Sequence, residues 1–387
     1  MQTDIISPVR LQSRAYRRRT IMDKINIAVL PGDNPGREMT CYAAEILEYI
    51  LQSCQLDYEI RYGEIGAAAF EKNGSPLPGK TVELCRTSRA ALIGFVGSHQ
   101  NYPDLPFNMR PEAGLLNLRK KLGIFANIKR VKVEPQVFDL SPLKLEILKR
   151  GIDIAVVREL TGGIYYGKKG RCEVDGEPAA FDQEIYTEQE VERVMRKAFS
   201  LSFTRKKSVV CADKANLLES SQLWRRMGAK VASEYPDVTF SCMYIDDLSA
   251  DIIRHPDRYD VIVASNLFGD ILSDEVSVFS GAKSLIPTAS FGQGNFGMYS
   301  PVAASFIDGS TKTSATMASS ILAVALMLRF SLSMPQQAGI LEHAVYQTLG
   351  TKRTEDLASE GKEIVSDKEL FEAIFHTLKT TLDRNNL

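Results

Sequence analysis

The sequence predicts an α/β fold with a largely parallel sheet, and three observations support this prediction. Short apolar segments typical of buried strands alternate with amphipathic helical segments through most of the chain. Polar residues directly follow several of these strands, as is usual where parallel strands end at a ligand-binding crevice. The composition is that of an ordinary globular protein, with 387 residues of which 44% are hydrophobic and 25% charged.

The predicted elements alternate along the chain. Apolar runs predict strands at 25–30, 91–96, 152–157, 208–212, 238–245 and 261–264. Apolar residues three or four apart predict helices at 43–51, 191–198, 268–278 and from 315 onward. Thr187 and Glu190 form a capping-box pattern, which indicates where the second of these helices begins. The segment Gly292–Gly297 matches G-x-G-x-x-G, but no apolar strand precedes it and no helix follows, so we interpret it as a flexible loop.

The composition excludes several classes of function. The 47 basic and 48 acidic residues leave a formal net charge of -1, so no overall basic field would attract nucleic acid. No apolar run has the length of a membrane span. The six cysteines include no C-x-x-C pair, which argues against a disulfide framework or a structural zinc site. Reduced thiols and the absence of a secretory signal favour a cytoplasmic protein.

Residues 1–23 differ in composition from the rest of the chain. Met1 to Thr20 contains five arginines and one acidic residue, Asp4. Three interpretations remain open. The segment is a transit peptide for mitochondria or plastids, the product of a start codon assigned upstream of Met22, or a solvated tail without fixed structure.

Two carboxylates and a lysine predict a reactive site. Asp270 and Asp274 are four residues apart and share one face of a helix, where two close carboxylates are unfavourable unless a cation neutralises them. Mg²⁺ or Mn²⁺ suits such oxygens, although an exposed acidic helix face explains the pattern equally well. Lys214 directly follows a strand, where it is either a general base beside a divalent cation or a surface lysine.

Other polar residues at strand ends predict a shared cleft. Arg158, Asp246 and Asn266 stand at or just after predicted strands, although strand ends are commonly polar. Arg119, Lys129, Arg130 and Arg158 would together hold a dicarboxylate, whereas each alone is more often a solvated charge.

Four ordered stretches are long enough to be compared with known families. They are Leu115–Arg119, Arg158–Gly167, Asp213–Asn216 and Asn266–Asp274. Together they resemble the β-decarboxylating dehydrogenases, the isocitrate and isopropylmalate dehydrogenase family, from about Lys24 to the C-terminal helices. The isopropylmalate branch is the most similar, because Glu112, Leu115 and Leu116 stand where that branch holds its alkyl group and nicotinamide.

The resemblance implies an isopropylmalate dehydrogenase-like two-domain fold with a mixed, largely parallel sheet and no Rossmann fold. Residues 24–124 and 281–387 would form the large, nucleotide-side domain. Residues 125–280 would form the small domain, which carries the dimer contacts and the metal site. The site would be built across a homodimer, with Lys214 and Asp246 supplied by the neighbouring subunit.

The resemblance also implies a role for each candidate site residue. Lys214 would remove the substrate's hydroxyl proton, and Tyr165 would protonate the enol carbon. The metal ligands for Mg²⁺ or Mn²⁺ would be Asp246, Asp270 and Asp274. The substrate-binding residues would be Arg119, Lys129, Arg158, Leu115 and Leu116. The contacts to NAD would be made by Glu112, Asn266 and Asp308.

Departures from the family pattern are concentrated at the nucleotide loop. The adenine-stacking histidine is replaced by Ala303, a close-approach glycine by Ala304 and an adenine-contacting asparagine by Thr316. These changes predict a weakened NAD site. Lys129 replaces one arginine of the substrate clamp, which keeps the charge and loses the two-pronged geometry. Pro35 changes the turn after the first strand.

We therefore expect Mg²⁺-dependent oxidative decarboxylation of a 3-isopropylmalate-like 2-hydroxy dicarboxylic acid with NAD. One alternative is a redox-inactive decarboxylase or lyase, and another is a non-catalytic subunit that regulates an active paralogue. The expected partners are a small hydroxy acid and a second copy of the chain, with neither nucleic acid nor membrane.

Overall fold

A single ten-stranded sheet forms the centre of the molecule. The computed structural model describes residues 24–34, 36–97, 105–106, 109–294, 296–302 and 317–384. The strands of the central sheet are β1 (Ile25–Leu30), β2 (Tyr58–Tyr62), β3 (Ala90–Ile93), β4 (Ala126–Val133), β5 (Ile152–Glu159), β8 (Ser208–Asp213), β9 (Thr239–Tyr244), β10 (Val261–Ala264), β11 (Pro287–Phe291) and β12 (Gly297–Pro301). Two small sheets pair β6 (Lys169–Val174) with β7 (Glu177–Asp182) and β13 (Lys352–Arg353) with β14 (Glu363–Ile364).

The strand order of the central sheet is β2-β1-β3-β12-β11-β4-β5-β10-β8-β9. Six neighbouring pairs are parallel, and the three antiparallel pairs are β12 with β11, β11 with β4 and β4 with β5. The predicted α/β class with a mixed, largely parallel sheet is therefore confirmed. The G-x-G-x-x-G segment lies in the connection between antiparallel β11 and β12, which agrees with its interpretation as a loop.

The predicted domain boundary falls in the middle of this sheet. Strands β2, β1, β3, β12 and β11 come from 24–124 and 281–387, and the other five come from 125–280. The two groups meet where β11 pairs with β4, with Thr288 opposite Lys129. The sheet is continuous across this junction, and the division into two domains remains a prediction.

Helices cover both faces of the sheet. They are α1 (Gly36–Ser53), α2 (Ala67–Asn73), α3 (Gly79–Arg86), α4 (Pro111–Lys121), α5 (Leu145–Leu148), α6 (Glu188–Phe203), α7 (Glu219–Ala232), α8 (Ile245–Arg254), α9 (Asn266–Ser277), α10 (Met317–Phe330), α11 (Pro335–Leu349) and α12 (Asp367–Arg384). Helix α6 begins at the predicted capping box, because the Thr187 hydroxyl accepts from the Glu190 backbone and the Glu190 carboxylate accepts from the Thr187 backbone. Throughout the described ranges, no helix combines the length and apolarity that crossing a bilayer requires.

The β6–β7 hairpin differs from the rest of the described fold, because nearly all of its residues are exposed. Val174 and Phe181 are 56% and 41% exposed. These two strands were not predicted from the sequence, since short polar strands without a buried face give little alternation of apolar and polar residues.

Candidate functional site

A cavity of about 200 Å³ with both polar and apolar walls lies at the carboxyl ends of β3 and β5. Arg119 of α4, Lys129 of β4 and Arg158 of β5 all line it. Successive residues of a strand face opposite sides of a sheet, so Lys129 shares its face with Asn127. Of the four cations predicted to hold a dicarboxylate, Arg119, Lys129 and Arg158 are therefore brought together, whereas Arg130 lies on the opposite face of the sheet.

Arg158 is held in place from two sides. Its guanidinium donates to the Asn266 side-chain oxygen at 3.0 and 2.8 Å, and it forms an ion pair with Asp270. Asn266 is itself fixed, because its amide donates to the Gly162 carbonyl at 3.2 Å and its backbone donates to the Tyr186 hydroxyl at 2.8 Å. Asn266 is buried, so in this chain its side chain positions Arg158. Its expected contact with NAD remains a prediction.

Tyr165 lies beside the same carboxylate. Its hydroxyl donates to Asp270 at 3.2 Å, and its ring centroid lies 5.8 Å from the Arg158 guanidinium carbon. Burial and the negative charge of Asp270 raise the pKa of Tyr165 above its usual value. Its hydroxyl therefore carries a proton at neutral pH, as a proton donor requires.

Asp274 contacts two lysines. It accepts from Lys129 at 2.6 Å and from Lys283 at 2.7 Å. Burial raises the pKa of Asp274, but the hydrogen bonds from the two ammonium groups outweigh this effect, and its net pKa is below the usual value. Lys283 was not predicted from the sequence, because a single lysine after Gly-Ala matches none of the motifs described above.

Arg119 lacks a full set of partners. Its Nε is buried without a hydrogen-bond partner among the described residues. Burial lowers the pKa of Arg119 to about 10, and the nearby positive charge of Arg158 acts in the same direction. A buried cation beside a like charge is stabilised by an anion, so this end of the cavity suits a carboxylate ligand.

Lys214 and Asp246 lie together at the far end of the sheet. Lys214 follows β8, where its backbone donates to the Ser221 hydroxyl at 3.0 Å. Its ammonium forms an ion pair with Asp246 in the first turn of α8. This hydrogen bond lowers the pKa of the Asp246 carboxyl group. The pair is accessible, since the Asp246 side chain is 59% exposed.

The three predicted metal ligands do not meet within one chain. Asp270 pairs with Arg158, Asp274 with the two lysines and Asp246 with Lys214. In the described part of the chain, the cluster of three ligand-type side chains is Cys211, Asp213 and Cys242, whose ligand atoms lie within 4.8 Å of one another. Asp213 already accepts two hydrogen bonds from Arg225, at 2.7 and 3.0 Å. A shared site completed by a second copy remains a prediction.

This fold and these motifs are those of a known family. The family model described as isocitrate/isopropylmalate dehydrogenase matches residues 26–374. The chain belongs to the isocitrate/isopropylmalate dehydrogenase family.

Relatives within the family include two curated enzymes. A 3-isopropylmalate dehydrogenase from Geobacillus kaustophilus is 43% identical over 355 residues, covering 91% of this chain and 95% of that protein. The enzyme of the same name from Clostridium acetobutylicum is 41% identical over 352 residues, covering 90% and 98%.

Solved structures give the same assignment. An isocitrate dehydrogenase from Methylococcus capsulatus has a TM-score of 0.76 at 29% identity, covering 92% of this chain and 99% of that one. A β-decarboxylating dehydrogenase from Thermococcus kodakarensis, in its apo form, has a TM-score of 0.74 at 26% identity, covering 94% and 98%. The family predicted from the four motifs is confirmed.

The remaining candidate residues of this family member are divided between α4 and the nucleotide loop. On α4, Leu115 lines the cavity and Leu116 is 42% exposed. Glu112 also lies on α4, against the backbone that follows β3. A Cβ atom added to Gly97 would lie 3.1 Å from one carboxylate oxygen of Glu112. Asp308 lies outside the described residues, as do Ala303, Ala304 and Thr316.

Asp33 is a buried acid that the sequence analysis gave no role. It accepts from the backbone of Ala68 at 2.9 Å and of Gly97 at 3.1 Å, and so joins the turn after β1 to the segment after β3. Burial raises the pKa of Asp33, against the lowering effect of these hydrogen bonds, and the charge of Glu112 raises it further. Glu112 and Asp33 thus place two carboxyl groups near the predicted nicotinamide side.

Proposed function

We propose that this chain catalyses Mg²⁺-dependent oxidative decarboxylation of a 3-isopropylmalate-like 2-hydroxy dicarboxylic acid, with NAD as the hydride acceptor. The observation that carries the proposal is the convergence of Arg119, Lys129 and Arg158 on one cavity. The Asp270 carboxylate and the Tyr165 hydroxyl lie next to it. The names of the curated relatives support the same reaction.

The cavity suits a dicarboxylate that carries an alkyl group. Three cations provide charge for two carboxylates, with Arg119 still lacking a partner at Nε. Leu115, Leu160 and Val302 supply an apolar part of the wall. This combination favours a substrate with a short branched side chain over one that is polar throughout.

The donor atoms suit a hard divalent cation. Asp270 and Asp274 are one turn apart on α9, and both side chains are partly exposed. With Asp246 of a second copy they would hold Mg²⁺ or Mn²⁺ through carboxylate oxygens. A cation bound there would polarise the substrate oxygens and stabilise developing negative charge.

The side chains of the protein move the protons. Lys214 would accept the proton from the substrate hydroxyl while hydride passes to NAD, which leaves a 2-keto acid with a carboxylate on the next carbon. Loss of that carboxylate as CO₂ leaves an electron pair on the carbon, and Tyr165 would donate its proton there. Arg119 and Arg158 would keep the substrate oriented during both steps.

Purified protein with Mg²⁺, NAD and 3-isopropylmalate tests the proposal. We expect NADH formation, followed by its absorbance, with one CO₂ released for each NADH. Lys214→Met is expected to lower kcat by about 10²–10⁴-fold, because proton transfer by a positioned base contributes this much. The control Lys230→Met removes a surface lysine paired with Glu192 and should leave kcat unchanged. The proposal would be contradicted if the protein showed no activity with any of several alkylmalates, with either NAD or NADP.

A mixed dimer tests the shared site. Lys214→Met and Asp270→Asn remove residues that the proposal places on different subunits of each site. Random pairing of the two inactive variants should restore about a quarter of the activity, because half of the dimers then contain one intact site of two. Mixing that restores no activity would show that each site lies within one chain.

A redox-inactive decarboxylase is the second candidate function. The substituted positions Ala303, Ala304 and Thr316 favour it, since they fall in the nucleotide loop while Lys214 and Tyr165 are retained. This enzyme would release CO₂ from the 2-keto acid without NAD, and strict dependence of CO₂ release from the hydroxy acid on NAD would exclude it.

A further inference from the structure

A second cavity, of about 710 Å³, lies on the opposite face of the sheet from the candidate active site. Its wall includes Ile128 and Arg130 of β4, whereas Asn127 and Lys129 line the candidate active site. The alternation of side chains along a strand separates the two cavities. The rest of the wall comes from β5, β11, α6 and the segment that follows it, Asp260 just before β10, the end of α10 and residues 333 and 335.

Two carboxylates of this rear cavity are already neutralised. Asp153 accepts from Arg130 at 2.9 and 2.8 Å and from Arg205 at 2.9 Å. Asp260 accepts from Arg205 at 2.7 Å. Burial raises the pKa of Asp153, but the two arginines outweigh it and hold the pKa well below its usual range.

A third carboxylate is shared by two arginines next to the cavity. Glu342 accepts from Arg130 at 2.9 Å and from Arg329 at 2.9 Å. The Nε of Arg329 is buried without a hydrogen-bond partner among the described residues. One donor of a lining arginine is therefore still unsatisfied.

Lys197 and Lys206 are the lining cations with no described carboxylate beside the ammonium, and of the two Lys206 donates to the Asp257 carbonyl at 3.3 Å. The Lys197 ammonium lies 3.6 Å from the centroid of the Phe291 ring. Burial alone lowers the pKa of Lys197 to about 8. Within the described ranges, the cations that line the cavity are Arg130, Lys197, Arg205, Lys206 and Arg329. Three carboxylates neutralise them, so the cations are in excess by two.

Part of the remaining wall is apolar. Leu201 of α6 and Phe330 at the end of α10 both line the cavity, and Phe291 packs edge-on against Phe330 at 5.8 Å between ring centroids. Ile128 and Pro335 extend this surface. Such a cavity, apolar with a few cationic groups, is typical of sites for small amphipathic anions.

We propose that the rear cavity binds a small organic monocarboxylate with an apolar body, whose carboxylate pairs with Lys197 while its hydrocarbon part packs on Phe291, Leu201 and Phe330. This site is separate from the proposed reaction and does not depend on it. Its walls come from both 125–280 and 281–387, so the ligand joins the two segments and stabilises their packing.

Binding is measured on the full chain by calorimetry with hexanoate, acetate and inorganic phosphate. We expect saturable hexanoate binding and weaker acetate binding, because each buried CH₂ contributes about fourfold in affinity. We expect phosphate to bind more weakly than hexanoate, because it cannot use the apolar wall. Equal binding of all three anions would overturn the proposal, as would no saturable binding of hexanoate.

Variants localise the ligand. Lys197→Met should weaken hexanoate binding by about tenfold or more, because it removes the charge partner. Lys379→Met is the matched control, since Lys379 also lies over an aromatic ring, 3.9 Å from the Phe375 centroid, but outside the cavity. Arg119→Met should leave hexanoate binding unchanged, which distinguishes the rear cavity from the candidate active site. Unchanged binding in Lys197→Met, or loss in Arg119→Met, would overturn the proposal.

A second variant keeps the test valid if Lys197→Met fails to fold. Ser200 is exposed, lines the cavity and lies three residues from Lys197 on α6, so Ser200→Glu brings a carboxylate within reach of the ammonium. We expect it to compete with hexanoate and weaken its binding, whereas Ser200→Gln should bind normally. Equal affinities in the two Ser200 variants would contradict a role for Lys197.

Discussion

The two faces of β4 carry positive charge in different settings. On the front face, Lys129 pairs with Asp274, a partly exposed carboxylate that it shares with Lys283. On the rear face, Arg130 pairs with Asp153 and Glu342, and its own side chain is 13% exposed. Adjacent residues of one strand therefore hold a cation at a ligand cavity and a cation in a buried network.

This difference separates function from stability. The front cations have incomplete or exchangeable partners, as Arg119 shows with its unsatisfied Nε. A ligand completes their pairing, so their loss should affect binding more than folding. On the rear face Asp153 and Glu342 each accept from two arginines, so the loss of one arginine leaves buried negative charge only partly neutralised.

The largest expected effect is on the rear face. Arg130→Met leaves Asp153 and Glu342 each with one cation fewer, in a buried setting. We expect the free energy of unfolding to fall by about 3–5 kcal/mol, as for other broken buried ion pairs. Urea unfolding measures it. A loss below about 1 kcal/mol would mean that the rear network contributes little to stability.

Arg119→Met tests the front face. We expect an unchanged or slightly higher free energy of unfolding, because burial next to Arg158 makes this charge unfavourable without a ligand. The KM for the substrate should rise by about 10–100-fold, the value of a charge-assisted hydrogen bond. Urea unfolding and steady-state kinetics measure the two effects. A strongly destabilised variant would remove the contrast between the faces.

Lys197 predicts a pH dependence on the rear face. Its folded pKa of about 8 lies below its usual value near 10.4, so the buried charge costs stability below pH 8. This cost is relieved as the pH rises from 8 towards 10, because the folded state then binds fewer protons than the unfolded state. Lys197→Met should therefore be more stable than the parent by about 1–2 kcal/mol at pH 7, and the gain should shrink by pH 10. A gain that does not change with pH would contradict this explanation.

The smallest expected effect concerns Lys283. Lys283→Met removes one of the two ammonium groups that compete with a metal ion for Asp274. We expect Mn²⁺ to bind about fivefold more tightly, which corresponds to about 1 kcal/mol for a partly exposed ion pair. Electron paramagnetic resonance of free Mn²⁺ measures it without any turnover. Weaker Mn²⁺ binding would show that Lys283 supports the metal site.

Local patterns predicted much of the fold. Strands β1 and β10 have the predicted bounds, because their apolar runs end at turn or polar residues. Helix α9 begins at Asn266, two residues before its predicted start, since the helical pattern is recognised only from the first apolar residue of the stripe. The antiparallel strand β11 was not predicted, because Pro287–Phe291 contains small and polar residues and its partner β4 is distant in sequence.

Site residues that belong to sequence motifs could be predicted. Contacts that depend on how distant segments pack could not. Arg158 and Asp270 belong to motifs, and the structure pairs them. The pairing of Lys283 with Asp274, and the position of Lys197 over Phe291 with no described carboxylate beside it, depend on how distant segments pack, which no local pattern encodes. The expected meeting of Asp246 with Asp270 depends on a second chain, so one sequence predicts it only through its family.

The alternating side chains of β4 also constrain which insertions and deletions the gene tolerates. Adding or removing one codon within β4 would exchange the two faces of the strand beyond that point. Arg130 would then point into the candidate active site. The same event would turn the clamp lysine towards the rear carboxylates. Length changes of two residues preserve the sides, so we expect natural variants in this strand to differ by even numbers.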